Sequence, residues 1–166
     1  GELTGERKGV VFQDTDLYKW LESVAYTIAA GQGLEYEPLA DEVIDLIGRA
    51  QEPDGYLNTY FTVNAPHRKW KNLMEGHELY TAGHMIEAAV AYYEATGKTK
   101  FLDIARKNAD LIGQVFGRGE GQKRGYPGHQ EIELALVKLY GVTDEKRYLE
   151  TAKYFIEERG SCPSYF

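Results

Sequence analysis

Two histidines occupy matching places in this chain. His77 follows a long loop and opens an apolar helical stretch that runs to Ala95. His129 follows Gly125-Tyr126-Pro127-Gly128 and leads into a second such stretch, which reaches Tyr140. A neutral imidazole donates from one nitrogen and accepts on the other, so a pair of them suits the hydroxyl groups of a sugar. Either histidine alone could simply cap or pack a helix start; the repeated placement favours one shared pocket. The loop from Gln51 to Phe61 carries a Pro53-Asp54-Gly55 turn and the aromatics Tyr56, Tyr60 and Phe61, with Trp70 close behind. Aromatic faces beside carboxamides and carboxylates are the furniture of a saccharide site. Asp54, Tyr56 and Tyr126 therefore join His77 and His129 as candidate substrate-binding residues. The competing reading is that the aromatics anchor the loop and Asp54 only makes its turn.

Other chemistries fit less well. His84 lies two helical turns beyond His77, roughly 10 Å along the axis, too far to share one metal ion with it. His77-Glu78 lacks the second histidine of a zinc-protease helix, so His84 reads as a buried, satisfied histidine. His67, beside Arg68 and Lys69, reads as solvent-exposed. Asp14 and Asp16 could form an acid–base pair, but N-terminal capping explains both. The glycines between 117 and 128 follow a helix and lack the Gly-Lys-Ser/Thr ending of a phosphate cradle. Cys162 is the single cysteine, which excludes an internal disulfide and any multi-thiolate metal site. A net charge of −7 with no basic stripe argues against nucleic acid or an anionic membrane as partner. No apolar run approaches the ~20 residues of a membrane span. The opening residues show no basic-then-apolar leader, and the compartment is not legible.

The elements that must position these groups are helices. Leu17, Leu21, Val24 and Ile28 mark the first, ended by Gly31 and Gly33; the second runs from Pro38 to about Ala50. The third spans His77 to Ala95 and closes at Gly97. Thr99 caps the fourth, striped by Leu102, Ala105, Ala109, Ile112 and Phe116. Ile132, Ala135, Leu136, Leu139 and Tyr140 mark the fifth. Thr143 opens the sixth, with Leu149, Ala152, Phe155 and Ile156 inward, and Gly160 stops it. No segment reads as a strand. A shift of 47 superposes Tyr93 on Tyr140, Thr96 on Thr143, Phe101 on Tyr148, Leu102 on Leu149 and Ala105 on Ala152, an internal repeat of helix pairs. Turns within pairs are short and connections between pairs are long, 51–76 and 117–128, so both long loops fall at one end, with His77 and His129.

Five blocks in order resemble glycoside hydrolase family 127, the β-L-arabinofuranosidase family. They are Phe12-Gln13-Asp14-Thr15-Asp16-Leu17-Tyr18-Lys19-Trp20-Leu21-Glu22, Pro53-Asp54-Gly55-Tyr56-Leu57-Asn58-Thr59-Tyr60-Phe61, His77-Glu78-Leu79-Tyr80 with Ala82-Gly83-His84, Glu87-Ala88-Ala89-Val90-Ala91-Tyr92-Tyr93, and Gly125-Tyr126-Pro127-Gly128-His129-Gln130-Glu131-Ile132-Glu133. The resemblance implies an all-α fold, an α-hairpin repeat forming about three of the six hairpins of an (α/α)6 barrel. Residues 1–166 would then be a single partial catalytic domain, truncated at both ends. It implies that His77 and His129 contact the arabinofuranose, and that the full-length enzyme is a retaining β-L-arabinofuranosidase of plant-type glycans that uses a zinc-bound cysteine thiolate and a glutamate. Those groups belong to later segments, so no cofactor is expected within this chain, Cys162 is no nucleophile, and the isolated chain is expected to be inactive. Its partners would be a carbohydrate and the rest of the barrel, or a second copy joined through edges that leave Leu21, Val24 and Leu136 partly uncovered. The alternative is a non-catalytic helical-repeat module that binds a sugar or a protein.

Overall fold

The apolar stripes fold into seven α-helices among residues 9–166, the part of the chain that a computed structural model describes. They are α1 (Asp14–Ala29), α2 (Glu37–Ala50), α3 (Thr59–Asn64), α4 (Glu78–Thr96), α5 (Lys100–Val115), α6 (Ile132–Thr143) and α7 (Lys146–Arg159). Six of them are the helices the periodicity predicts. They pair as three hairpins, α1–α2, α4–α5 and α6–α7, in two layers. The inner layer is α1, α4 and α6, with α4 packed between the other two; α5 lies between α2 and α7 in the outer layer. The fold is all-helical and consistent with an α-hairpin part of an (α/α)6 barrel. None of the described helices is long and apolar enough to cross a membrane.

α4 is central because its sequence is apolar or small almost all the way round. Leu79, Ala82, Met85, Ile86, Ala88, Ala89 and Val90 are all buried, as a helix flanked on three sides requires. α2 and α5 instead bury one stripe each, Ala40, Ile44 and Ile47 in the first, and Leu102, Ala105, Ala109 and Ile112 in the second.

The 47-residue repeat is visible in the hydrogen bonding of the turns. Thr96 Oγ1 donates to the Tyr92 carbonyl at 2.6 Å and accepts from Lys98 N–H at 3.2 Å. Thr143 Oγ1 donates to the Leu139 carbonyl at 2.7 Å and accepts from Glu145 N–H at 3.3 Å. In both turns the next residue, Gly97 or Asp144, takes the left-handed conformation that ends the helix. Each threonine hydroxyl ties the last turn of its helix to the backbone that leads into the next.

Several expectations change. Leu21, Val24 and Leu136 are buried, because α4 and the outer layer cover them. The exposed apolar groups of the inner helices lie on the opposite face: Tyr26 is 54 % exposed, Leu134 53 % and Val137 42 %. On α7 the inward stripe is Tyr148, Ala152 and Phe155. Leu149 and Ile156 lie one position round from it and face solvent. Glu158 is buried, and Arg118 and Arg124 reach it from the loop before α6 at 3.1 and 2.8 Å. The long connection 51–76 is not structureless, since it contains α3, capped by Asn58 accepting from Phe61 N–H. Asp14 does not cap α1. Its carboxylate accepts from Thr59 N–H at 2.7 Å and Thr59 Oγ1 at 2.6 Å, which ties the start of α3 to α1.

Candidate functional site

α4 begins at Glu78, and His77 just before it holds a left-handed backbone with φ of 55°. A non-glycine residue in that region carries strain that its surroundings must hold. Two restraints do so. The His77 carbonyl accepts from Thr81 N–H at 2.8 Å, and its ring Nδ1 lies 2.6 Å from the Glu75 carbonyl. A carbonyl only accepts, so Nδ1 carries the proton. In the neutral ring Nε2 is then left as an acceptor.

His129 reaches the same place from the other long loop. Gly128 N–H donates to the Leu73 carbonyl at 3.0 Å, and a Cβ on Gly128 would meet the Met74 carbonyl oxygen at 2.4 Å. Glycine alone allows so close an approach of the two loops. The His77 and His129 rings end with centroids 4.9 Å apart. Two further rings complete the cluster. Phe12 lies 4.9 Å from His77, and Tyr80 lies 5.8 Å from His77 and 5.5 Å from His129. Lys19 Nζ sits 3.2 Å from the Tyr80 hydroxyl. The cluster thus offers imidazole, phenol and ammonium groups on a partly exposed aromatic floor, a set able to exchange hydrogen bonds with neutral hydroxyls.

The other three candidate residues lie elsewhere. Tyr56 is 1 % exposed and donates its hydroxyl to Glu78 Oε1 at 2.5 Å. Asp54 accepts from Tyr56 N–H at 2.9 Å, making the turn. Tyr126 is buried, its hydroxyl 2.8 Å from Ser164 Oγ and its ring against Phe166 and Arg159. No described ring contact joins Tyr56 or Tyr126 to the histidine pair. These residues hold the two loops that carry the histidines.

The loop 51–76 is held from beneath by Glu78, the first residue of α4. It accepts from Tyr56 Oη and, at 2.8 Å, from Trp70 N–H. Burial drives the Glu78 carboxyl up to about 7, against the opposing pull of those hydrogen bonds and of Lys69. His84 is not the satisfied histidine expected, since neither of its ring nitrogens has a hydrogen-bond partner although both are buried. Its Nδ1 lies 3.3 Å from Glu131 and 3.9 Å from Glu87. Burial and then the neighbouring Glu87 carboxylate raise Glu131, so a proton shared by this pair resides on Glu131. Sequence reading missed Tyr80, although its place three residues after His77 put it on the same helical face.

The family model of the β-L-arabinofuranosidase GH127 catalytic domain matches residues 3–165. A non-reducing end β-L-arabinofuranosidase of Bifidobacterium longum subsp. longum is 46 % identical over 170 residues, covering 100 % of this chain and 26 % of that protein. The crystal structure of a GH127 β-L-arabinofuranosidase from Geobacillus stearothermophilus T6 superposes with a TM-score of 0.96 at 62 % identity, over 99 % of this chain and 26 % of that one. A second GH127 β-arabinofuranosidase structure gives 0.89 at 44 % identity, over 95 % and 26 % of the two chains. The chain thus spans about a quarter of the length of these relatives. With the match running across nearly its whole length, this chain belongs to the GH127 β-L-arabinofuranosidase catalytic-domain family.

Proposed function

We propose that this chain is the sugar-gripping part of a β-L-arabinofuranosidase and that the groups which break the glycosidic bond lie outside it. The observation that carries the reading is the His77–His129 pair, two imidazoles from separate loops held 4.9 Å apart over an aromatic floor. His77, with Nδ1–H engaged by Glu75, presents Nε2 to a donor such as a sugar hydroxyl, and His129 works from the facing side. Asp54, Tyr56 and Tyr126 serve the site by holding its loops. The family resemblance implies a zinc-bound cysteine thiolate for the chemistry, and the residues present do not fit one. Cys162 is exposed and free, and the described cluster suited to a metal ion contains no sulfur.

Titration of the ¹⁵N-labelled chain with methyl β-L-arabinofuranoside tests this. The imidazole resonances of His77 and His129 should move while His67 stays still, and His77→Ala should abolish the movement at His129. Shifts spread evenly over the surface, or none at the pair, would remove the basis of the proposal. No hydrolysis of an aryl β-L-arabinofuranoside by the purified chain is expected.

The inner face supplies the second part of the reading. Tyr26 and Lys138 line a groove of about 340 Å³ between α1, α4 and α6, and Leu134 and Val137 lie open on α6. The remainder of a barrel would cover this face; without it, two copies of the chain would cover each other. Sedimentation should show self-association that Val137→Glu weakens. A strict monomer at all concentrations would count against the half-barrel.

A further inference from the structure

We propose that His84, Glu87 and Glu131 form a binding site for one divalent first-row metal ion of the zinc class, distinct from the sugar-binding histidines and built without any thiolate. His84 and Glu87 project from the same face of α4, three residues apart, and Glu131 comes from the N-terminal boundary of α6. One potential ligand atom from each residue falls in a group no wider than 4.8 Å. His84 Nδ1 is 3.3 Å from Glu131 Oε1 and 3.9 Å from Glu87 Oε2. Ligands bound tetrahedrally at zinc distances of about 2.0–2.2 Å stand roughly 3.4 Å from one another, so the His84–Glu131 edge already fits and the wider edges must draw in as an ion binds.

Three observations make this a built site and not a chance meeting of charges. First, both His84 nitrogens and Glu131 Oε1 are buried atoms with no hydrogen-bond partner. Native proteins leave few such atoms unpaired, and an ion held between the two side chains would satisfy His84 Nδ1 and Glu131 Oε1 together. Second, Lys138 binds Glu87 through Oε1, which leaves Oε2 turned towards His84. The lysine orients one carboxylate and leaves its second oxygen for the ion. Third, a Cβ on Gly83 would lie 2.5 Å from Glu131 Cγ and 3.1 Å from the backbone carbon of Glu131. The glycine before His84 is therefore what lets the start of α6 sit against α4 and bring Glu131 into reach.

The donor chemistry selects the ion. One imidazole and two carboxylates suit zinc, manganese or ferrous iron better than calcium, which takes six to eight oxygen ligands. Three protein ligands leave one position for water. The site lies below the sugar histidines, since the Tyr80 ring stacks edge-on against His84 at 4.6 Å and lies 5.5 Å from His129. The ion would lock α4 to α6 beneath the Tyr80 floor.

Titration of the metal-free 166-residue chain with zinc chloride by calorimetry, and with cobalt(II) by visible absorption, tests the assignment. The expected result is one ion per chain and a cobalt spectrum with no sulfur-to-metal charge-transfer band. Glu131→Gln, which preserves shape, should weaken zinc by more than the 10- to 100-fold typical of losing a supporting partner. His84→Ala should do the same, while a His67→Ala/Cys162→Ser double variant should keep the site. No stoichiometric uptake, or uptake that Glu131→Gln leaves unchanged, overturns the proposal and leaves the cluster as a proton-sharing carboxyl pair. Should His84→Ala fail to fold, Glu131→Gln decides alone.

Discussion

Glu78→Gln should stabilise the chain at pH 8 by about 3 kcal/mol and change little near pH 4.5. The carboxyl has an ordinary value of 4.5 and is pushed up to about 7 in the folded chain, chiefly by burial. A raised carboxyl favours the folded state when protonated. Its stabilising effect is therefore complete below pH 4.5 and is lost as pH rises through about 7, at roughly 1.4 kcal/mol per pH unit. Glutamine mimics the neutral acid and removes that slope. The groups facing Glu78 are the Tyr56 hydroxyl, Trp70 N–H and, more distantly, Lys69, which is itself paired with Glu52 at 2.6 Å. Other shifted carboxyls, such as Asp41, are common to both proteins and cancel in the difference. Urea unfolding of both proteins from pH 4.5 to 8.5 measures it. Parallel curves would mean that Glu78 is not held in the acid form. Tyr56→Phe supplies the converse, since the ionised carboxylate then keeps only the Trp70 donor. It should cost about 1–3 kcal/mol at pH 8, and less at pH 5.

That coupling was not legible in the sequence, although much of the scaffold was. Helical stripes of fixed period located the six long helices, and the Thr96 and Thr143 turns showed a repeat that the hydrogen bonds reproduce. α3 escaped because Thr59–Asn64 is too short and too rich in β-branched residues to display a period; only its cap, Asn58, marks it. Loop length brought His77 and His129 together, since long connections between parallel helices must share an end. Aromatic content could not separate Tyr56, which faces inward, from Tyr80, which borders the site. A tyrosine in a loop reads the same whether its hydroxyl meets a ligand or a buried glutamate. His84 was misread for a related reason. Helical position placed it in the interior, but its neighbour Glu131 comes from another helix, and no local pattern announces a contact made across Gly83.

Gly128→Ala should separate the two histidines. A methyl group there would stand 2.4 Å from the Met74 carbonyl oxygen and 2.8 Å from Met74 Cα. Both obstacles are backbone, so no side chain can rotate to make room. The loops must part, which breaks the Gly128 N–H bond to the Leu73 carbonyl and carries His129 away from His77. Overpacking of this kind costs about 1–3 kcal/mol. The larger consequence falls on the pair, because two imidazoles on separate loops cooperate only while those loops are pinned. Urea unfolding should show the loss, and the His77 and His129 resonances should cease to respond to methyl β-L-arabinofuranoside. Gly141→Ala is the matched control. Its methyl group meets nothing within 4 Å inside α6, so it should leave the sugar response intact and raise stability by about 0.5–1 kcal/mol. If Gly128→Ala kept both stability and sugar response, the close approach of the loops would not be what holds the pair. The histidines would then be positioned by their own helices, and the strained backbone of His77 would become the next place to look.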